Sequence, residues 1–116
     1  MRLETRKYLF DIQEAAGLAA GFVAGKNFAD YQADPMLRFA VERAFLIIGE
    51  ALTRLGQLDE ACASRISEYR SIVAFRNILV HAYAQIDDRI VWGVLEAKLP
   101  LLQREVAGLM DEGHLP

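Results

Sequence analysis

FRNILVHAY, residues 75–83, is the stretch around which the rest of the chain is arranged. Its N-terminal flank contains no helix breaker, so the sequence predicts one helix from Glu68 to Ala84. At 100° per residue, its core-facing side chains fall within about 80° of each other. These are Ile72, Phe75, Leu79, Ala82 and Ile86. The other face combines polar, reactive side chains with valines, and that mixture makes it the candidate functional face.

Four polar residues belong to this second face: Arg76, Asn77, His81 and Tyr83. On an ideal helix, Tyr83 lies about 20° from Arg76, and Asn77 and His81 are neighbours at i and i+4. Arg76 and His81 diverge by roughly 140°. They can share a small ligand only if the helix deforms or a second copy lies alongside it. A twofold dimer pairing this face with itself would bring two arginines and two histidines into one cleft.

Length and composition predict a single domain spanning residues 1–116. The hydrophobic content of 53% is high for a small chain, and a buried self-association surface would explain it. No apolar run approaches the roughly 18–20 residues needed to cross a bilayer, and the N-terminus does not resemble a signal peptide. The single Cys62 excludes an internal disulfide and fits a reducing compartment. We therefore expect a cytoplasmic protein with no membrane partner and a structural cysteine.

The charge balance limits the kinds of ligand. The net charge of −3 argues against broad electrostatic binding to duplex nucleic acid. The basic residues, however, are mostly arginine, which suits focused, bidentate contacts with phosphate. The sequence contains no His/Cys cluster, Glu-x-x-His pair, GxGxxG or P-loop. It therefore predicts no metal site and no cofactor, and leaves a small phosphate site open.

Helical periodicity continues along the rest of the chain, with no convincing alternating strand. The first predicted helix covers about residues 5–23, and its Gly17 and Gly21 are explained most simply by close approach of another helix, with exposure to solvent as the alternative. Phe28 and Tyr31, in the following loop or single turn, are expected to pack onto the bundle. The second helix begins at Asp34-Pro35, an N-cap acceptor followed by proline, and is predicted to end at Leu55-Gly56.

The C-terminal half adds two more predicted elements. Ser67 is a possible cap for the central helix, and Asp87 is a plausible N-cap for the last one. Pro100 falls inside the last helix and predicts a kink or break there, with Leu99 as the final regular residue of the first segment. Trp92 lies off the apolar stripe of the last helix, and we expect its side chain to pack against the central helix. Together these elements predict an all-α bundle of four to five helices.

The side of the second helix opposite its core face has two interpretations. Phe39 and Leu46 lie there among Glu42, Arg43 and Glu50. It is either a solvated surface with a few i, i+4 pairs or the border of a dimer cleft. In the second case, Arg43 would lie near a bound phosphate and the glutamates would orient arginines.

The residues alone also leave the central helix open to a purely structural explanation. A lone His81 in an apolar helix is more often a hydrogen-bonded structural residue than a catalytic one. Arg76 could pair with Glu68 or Glu42, and Tyr83 could be an aromatic at the edge of the core. The clustering of four such residues weakens this explanation but does not identify a substrate.

The pattern Arg-x4-His-x-Tyr, present as Arg76…His81-Ala82-Tyr83, resembles the signature of HEPN (higher eukaryotes and prokaryotes nucleotide-binding) domains. More narrowly, the chain resembles the HepT toxins over nearly its whole length. The matching segments include AVERAFLIIGEAL (residues 40–52), Ile86-Asp87…Val91-Trp92 and Leu99-Pro100-Leu101-Leu102. The resemblance implies an all-α, up-and-down helical bundle, a homodimer and a metal-independent endoribonuclease that acts as the toxin of a type VII toxin–antitoxin system.

Carried onto this chain, the resemblance implies that Arg76 and His81 are catalytic. It also implies that a partner, an MntA-type nucleotidyltransferase antitoxin, adenylylates Tyr83. The residue types suit RNA cleavage, because neutral histidine can take a proton from a 2′-hydroxyl and arginine keeps its charge against a phosphate. Asn77 could fix the imidazole of His81 or contact RNA. The alternative function is a non-catalytic HEPN subunit that presents a nucleotide or substrate to a nucleotidyltransferase.

Overall fold

The computed structural model describes residues 1–113, with Tyr83 described in its backbone alone. Within this part the chain forms helices and turns and no β-strand, which confirms the predicted all-α bundle. The helices are α1 (Leu3–Val23), α2 (Phe28–Ala33), α3 (Pro35–Leu58), α4 (Glu60–Ala63), α5 (Tyr69–His81), α6 (Asp88–Ala97) and α7 (Leu99–Gly113). A 3-10 turn, Tyr83–Gln85, joins α5 to α6. The helices α2 and α4 are short, with 6 and 4 residues, so five longer helices remain within residues 1–113. That number agrees with the predicted four to five helices.

Helix α3 is the centre of the bundle and packs against α1, α5, α4 and α2. Its start is fixed as predicted, because the Asp34 carboxylate accepts a hydrogen bond from the Leu37 N–H at 3.2 Å. Pro35 occupies the first helical position, where its missing N–H is not needed. One face of α3 is buried along its whole length and contributes Val41, Phe45, Ile48, Leu52 and Leu55 to the core.

The core is closed by α1, which packs against both α3 and α7, and by α5, which packs against α3. The Phe45 ring of α3 meets Phe75 of α5 edge-on, with ring centroids 5.2 Å apart. Polar contacts fasten the segment between α4 and α5 to α7. Arg65 donates two hydrogen bonds to the Glu112 carboxylate, at 2.9 and 2.6 Å. These contacts fix the start of α5, the helix that carries the candidate residues.

The predicted end of the second helix is wrong, because α3 continues through Gly56 to Leu58. Gly56 is needed for packing rather than for termination. A Cβ at this position would come within 3.0 Å of the Tyr69 hydroxyl, so the missing side chain makes room for that ring. The helix ends at Asp59 instead, whose side chain caps α4 by accepting a hydrogen bond from the Cys62 N–H at 3.0 Å.

The central helix is shorter than predicted at both ends. It begins at Tyr69, and its N-cap residue Glu68 makes no side-chain capping bond. The predicted cap Ser67 is wrong, because its backbone N–H and hydroxyl both donate to the Glu105 carboxylate of α7. At the other end, the backbone leaves the helical conformation at Ala82, with φ −135° and ψ 34°. The predicted continuation to Ala84 is therefore wrong.

The predicted interruption near Pro100 is confirmed as a break between two helices, but the predicted position of Leu99 is wrong. Helix α6 ends at its C-cap Lys98, and Leu99 is the first residue of α7 rather than the last of the preceding segment. Pro100 thus occupies the second position of α7, where a helix does not use the backbone N–H. The predicted N-cap of α6 is confirmed, because the Asp87 carboxylate accepts from the Arg89 N–H at 2.9 Å.

Gly17 and Gly21 are exposed, and no atom lies within 4 Å of where their Cβ atoms would be. The prediction of a close helix–helix contact at these glycines is therefore wrong, and the alternative, exposure, is confirmed. Trp92 packs on α2, with its ring centroid 5.6 Å from Tyr31 and 6.4 Å from Phe28. Tyr31 and Phe28 do pack onto the bundle, as predicted.

Cys62 is buried, and burial raises the pKa of its thiol, which favours the unreactive protonated form. This agrees with a structural role for the cysteine. No helix within residues 1–113 combines the length and apolar character that crossing a bilayer requires.

The contact between α3 and α5 generates a stability prediction. We expect Phe45→Ala to lower the free energy of unfolding by about 3–5 kcal/mol, because it removes a fully buried ring and leaves a cavity. Phe39→Ala is the matched control, since Phe39 lies on the same helix and is 69% exposed. Its effect should stay within about 0.5 kcal/mol. Urea unfolding followed by circular dichroism measures both, and equal effects would contradict the packing described for α3.

Candidate active site

Arg76 lies where α5 crosses α3, and its position depends on a glycine. A Cβ at Gly49 would come within 3.0 Å of both Cβ and Cγ of Arg76. These atoms are close to the backbone of α5 and cannot rotate away, unlike the tip of a long side chain. Gly49 therefore forms a notch in α3 that admits the stem of Arg76.

The guanidinium of Arg76 is held at the edge of this contact, with 24% of the side chain exposed. Its Nη2 donates to Glu50 Oε2 at 2.8 Å, and its Nη1 donates to Asn77 Oδ1 at 3.0 Å. The ion-pair partner is thus Glu50, and neither Glu68 nor Glu42, which had been the sequence-based candidates. Among the described residues, Arg76 Nε is buried without a hydrogen-bond partner. The side chain is fixed along its stem while its tip faces an opening.

Glu50 binds two arginines at once. Its Oε1 accepts from Arg54 Nε at 3.0 Å on the same helix, while Oε2 is taken by Arg76. The carboxylate therefore bridges a guanidinium of α3 and one of α5. This arrangement agrees with the interpretation in which glutamates on this side of α3 orient arginines.

Arg76 opens into a hollow of about 450 Å³ between α1, α3 and α5, which we name the arginine groove. Its charged lining residues are Lys7, Asp11, Arg43, Glu50, Arg54 and Arg76. Tyr8, Ile47 and Val80 add aromatic and aliphatic surface. The structure thus places Arg43, a sequence-based candidate, in the same groove as Arg76. An open groove with several guanidiniums and one shared carboxylate is suited to an anionic ligand.

His81 is not in this groove. It is the last residue of α5, it is exposed, and it borders a separate hollow of about 220 Å³ together with Ala82, Ala84 and Gln85. The structure therefore retains the divergence from Arg76 that helix geometry predicts, without a deformation that would bring the two together. Within the described residues, Asn77 is bonded to Arg76 and not to His81, so the expectation that it fixes the imidazole is not met.

The side chain of Tyr83 lies outside the described part of the structure. Its backbone begins the 3-10 turn that follows α5, two residues after His81. Because the helix has ended by then, the placement of Tyr83 about 20° from Arg76 on one cylinder does not apply.

Sequence reasoning missed two contributors to the site, Gly49 and Arg54. The signal for Gly49 was a glycine in the interior of an apolar helix, which costs about 1 kcal/mol relative to alanine and calls for a packing explanation. Arg54 was recognisable only as an i, i+4 partner of Glu50. No group of three or more His, Cys, Asp or Glu side chains suited to a metal ion occurs within residues 1–113.

Comparison with known proteins shows which family and which relatives the chain is similar to. Residues 12–109 match a family model described as "Ribonuclease HepT-like". A Thermococcus cleftensis protein named "Probable ribonuclease HepT" is 33% identical over 103 residues, which cover 89% of this chain and 93% of the relative. A Methanocaldococcus jannaschii protein, RNase MJ1380 by provisional name, is 29% identical over 103 residues, 89% of this chain and 94% of the relative. No solved structure matches the chain at a comparable level.

The notch at Gly49 predicts that substitution by alanine changes stability in opposite directions at Gly49 and at Gly17. We expect Gly49→Ala to destabilise the fold by about 1–3 kcal/mol, because the added methyl group would push α5 and Arg76 away from α3. Gly17→Ala should instead stabilise by up to about 1 kcal/mol, because that helical glycine is exposed with open space around it. Urea unfolding measures both effects. Stabilisation by both substitutions would show that the notch is not needed.

Proposed function

Since the chain belongs to the HepT-like ribonuclease family, we propose that it is an endoribonuclease whose catalytic residues are Arg76 and His81. The observation that carries the proposal is the placement of Arg76. Its stem lies in the Gly49 notch, and its guanidinium is held at the edge of a groove rich in arginine. A cation fixed in this way before the substrate arrives loses little entropy on binding a phosphate.

The chemistry follows from the two residue types. His81, exposed to solvent, takes the proton from the 2′-hydroxyl, which then attacks the adjacent phosphorus. Arg76 stabilises the negative charge that develops on the phosphoryl oxygens. Each of its terminal nitrogens carries a second N–H that the bonds to Glu50 and Asn77 do not use. The copy of His81 in a second subunit protonates the leaving 5′-oxygen, which gives a 2′,3′-cyclic phosphate and a free 5′-hydroxyl. This sequence requires no metal ion.

The proposal includes a homodimer, because one chain holds Arg76 and His81 in different hollows. Pairing of α5 with its copy would let the arginine of one subunit act with the histidine of the other. The exposed side of α5 supports such pairing. Ile78 and Val80 are 51% and 41% exposed beside the candidate residues, and Ile47 of α3 is exposed next to them. Apolar residues exposed beside a polar site are typical of a surface that is covered in an assembly.

We further propose that Tyr83 is the site of control. A nucleotidyltransferase of the MntA type would transfer AMP to its hydroxyl, with release of pyrophosphate from ATP. The residue follows His81 by two positions, at the end of α5. An added AMP would bring a phosphate and a base close to the histidine and exclude RNA by charge and by volume. In that arrangement the chain is the toxin and the transferase the antitoxin of a cytoplasmic type VII pair.

The separation of the two hollows also favours a second candidate function. A chain whose Arg76 and His81 do not meet could serve as a non-catalytic subunit that binds a nucleotide or substrate in the arginine groove and presents it to a nucleotidyltransferase. The two functions differ in whether the chain alone cleaves RNA.

We expect His81→Ala to lower the rate of RNA cleavage by about 10²–10⁴-fold and Arg76→Ala by about 10²–10³-fold. Cleavage of a labelled single-stranded RNA measures the rates, and mass spectrometry of the products detects the cyclic phosphate. Arg104→Gln, an exposed arginine on α7, is the control and should cleave at the wild-type rate. Equal cleavage by the wild type and both site variants would reject the catalytic assignment, whereas no cleavage by any of the chains would favour the second candidate.

The dimer is tested by mixing the two inactive variants. A mixed dimer of the Arg76→Ala and His81→Ala chains keeps one Arg76 and one His81, on opposite chains. If the site is composite, a mixture of the two variants should therefore recover the part of the activity that does not need the second histidine. Sedimentation then establishes whether the chains associate. A monomer that cleaves RNA at the wild-type rate would contradict the composite site.

Control at Tyr83 predicts a covalent change. Incubation of the chain with an MntA-type nucleotidyltransferase and ATP should increase its intact mass by at least one AMP group and reduce RNA cleavage. Tyr83→Phe should remain unmodified, because it lacks the hydroxyl. Tyr69→Phe, which keeps the ring that packs at Gly56, should still be modified. Modification of the Tyr83→Phe chain to the wild-type extent would reject this site.

A further inference from the structure

The arginine groove does not end at Arg54. A second hollow of about 250 Å³ continues along the same side of α1 and α3, and Tyr8 and Arg54 line both hollows. Beyond them it is bordered by Glu4, Gln57 and Leu58. The result is a trough that begins at Arg76 and passes Arg54 and Tyr8 toward the C-terminal end of α3.

The charges along this trough differ from those of the whole chain. Four cations line the arginine groove, against the two carboxylates Asp11 and Glu50, and the second hollow of the trough adds the carboxylate of Glu4. The chain as a whole carries a net charge of −3. Asp11 is paired with Lys7 at 2.9 Å, and Glu50 is shared between Arg54 and Arg76. The positive charge is therefore concentrated in this groove, where it would attract an anion locally.

The cations are spaced along an axis rather than gathered around one point. Arg43 and Arg54 lie 11 residues apart on α3, which corresponds to about 16 Å along a helix. Glu50 and Arg76 lie between them. A single phosphate cannot span that distance, whereas a chain of phosphates can. Arg54 is 58% exposed and donates through Nε to Glu50, so its terminal nitrogens remain available for a second anion.

An aromatic ring adjoins the second of these arginines. Tyr8 borders both hollows beside Arg54, and Lys7 Nζ lies 5.4 Å from the ring centroid. Spaced cations with an aromatic ring are the combination that binds single-stranded nucleic acid, with phosphates on the cations and a base stacked on the ring.

Resting on the proposed ribonuclease function, we propose that this trough binds the single-stranded RNA on one side of the cleaved phosphate. Arg76 holds the reacting phosphate. Arg54 holds a neighbouring phosphate, and Tyr8 stacks the base between that position and the open end of the trough. Glu50 sets the spacing of the two guanidiniums by bonding to both. Arg54 and Tyr8 thereby select for RNA that extends beyond the cleaved bond.

Binding can be measured separately from cleavage with 2′-O-methyl oligouridylates of 4 and 12 nucleotides, because they lack the attacking hydroxyl. Fluorescence anisotropy gives the Kd at several salt concentrations. Arg54→Gln should weaken binding of the 12-mer by about tenfold and that of the 4-mer by less. It should also make the slope of log K against log salt shallower by about 0.7, the value for one lost phosphate contact.

The ring is tested by two further variants. Tyr8→Leu should weaken binding of the 12-mer by about tenfold without changing the salt slope, because it removes stacking and no charge. Tyr8→Phe retains the ring and should bind as the wild type does. A circular dichroism melt of each variant separates lost binding from lost folding, and Arg104→Gln is the charge-matched control on α7.

The proposal is overturned if Arg54→Gln binds the 12-mer as tightly and with the same salt slope as Arg104→Gln. It is also overturned if the wild type does not bind the 12-mer. Cleavage of ordinary RNA is assayed in parallel. Binding that depends on Arg54 without any cleavage would reject the nuclease and retain the trough. Cleavage at the wild-type rate by the Arg54 and Tyr8 variants would retain the nuclease and reject the trough.

Discussion

The close approach of α5 to α3 at Gly49 is the constraint on which the candidate site depends. Arg76 passes its stem through the one place on this stretch of α3 where no side chain is present. A glycine inside a helix costs about 1 kcal/mol relative to alanine. The ion pair with Glu50 does not offset this cost by itself, because partly exposed pairs contribute about 0–1 kcal/mol. The arrangement is thus better explained by where it puts the guanidinium than by the stability of the pair.

Electrostatics in the groove follow from that placement. Two guanidiniums repel each other, and Arg54 and Arg76 lie close enough to bind the same carboxylate. Glu50 compensates for part of this repulsion while using only one donor of each arginine. The second N–H of each terminal nitrogen of Arg76 and the terminal nitrogens of Arg54 are not used by the bonds to Glu50 and Asn77, and they would be better satisfied by a phosphate, which has several acceptor oxygens. Glu50 thus positions both guanidiniums and leaves each of them donors for an anion, which is the condition for a preformed site.

The sequence predicted those features of the fold that local chemistry controls. The start of α3 at Asp34-Pro35 and the cap at Asp87 depend on neighbouring residues, and both are confirmed. The role of Gly56 depends on Tyr69, a residue from another helix that needs the space there. A glycine that admits a distant ring and a glycine that terminates a helix look the same in sequence. The same limit explains why Gly17 suggested a contact that does not exist, while the contact at Gly49 was not predicted.

In the candidate site, too, the sequence predicted features within one helix but not contacts between helices. The residue types and the divergence between Arg76 and His81 could be obtained from helix geometry, because both residues belong to one element. The partner of Arg76 could not, since Glu50, Glu42 and Glu68 are equally plausible in sequence and only the crossing of α3 and α5 selects among them. The stop at Ala82 was also hidden, because no glycine or proline marks it.

The end of α5 at His81 affects how the site could be assembled. In a longer helix, the imidazole would lie in the middle of a rigid surface, and Tyr83 would follow on the same cylinder. Here the histidine is terminal and exposed, and the next residues turn away from the helix axis. Its ring is consequently accessible from the end of the bundle as well as from the side. A second subunit could then approach the histidine without displacing α3 from Arg76, so that the notch at Gly49 and the proposed composite cleft are compatible in one assembly.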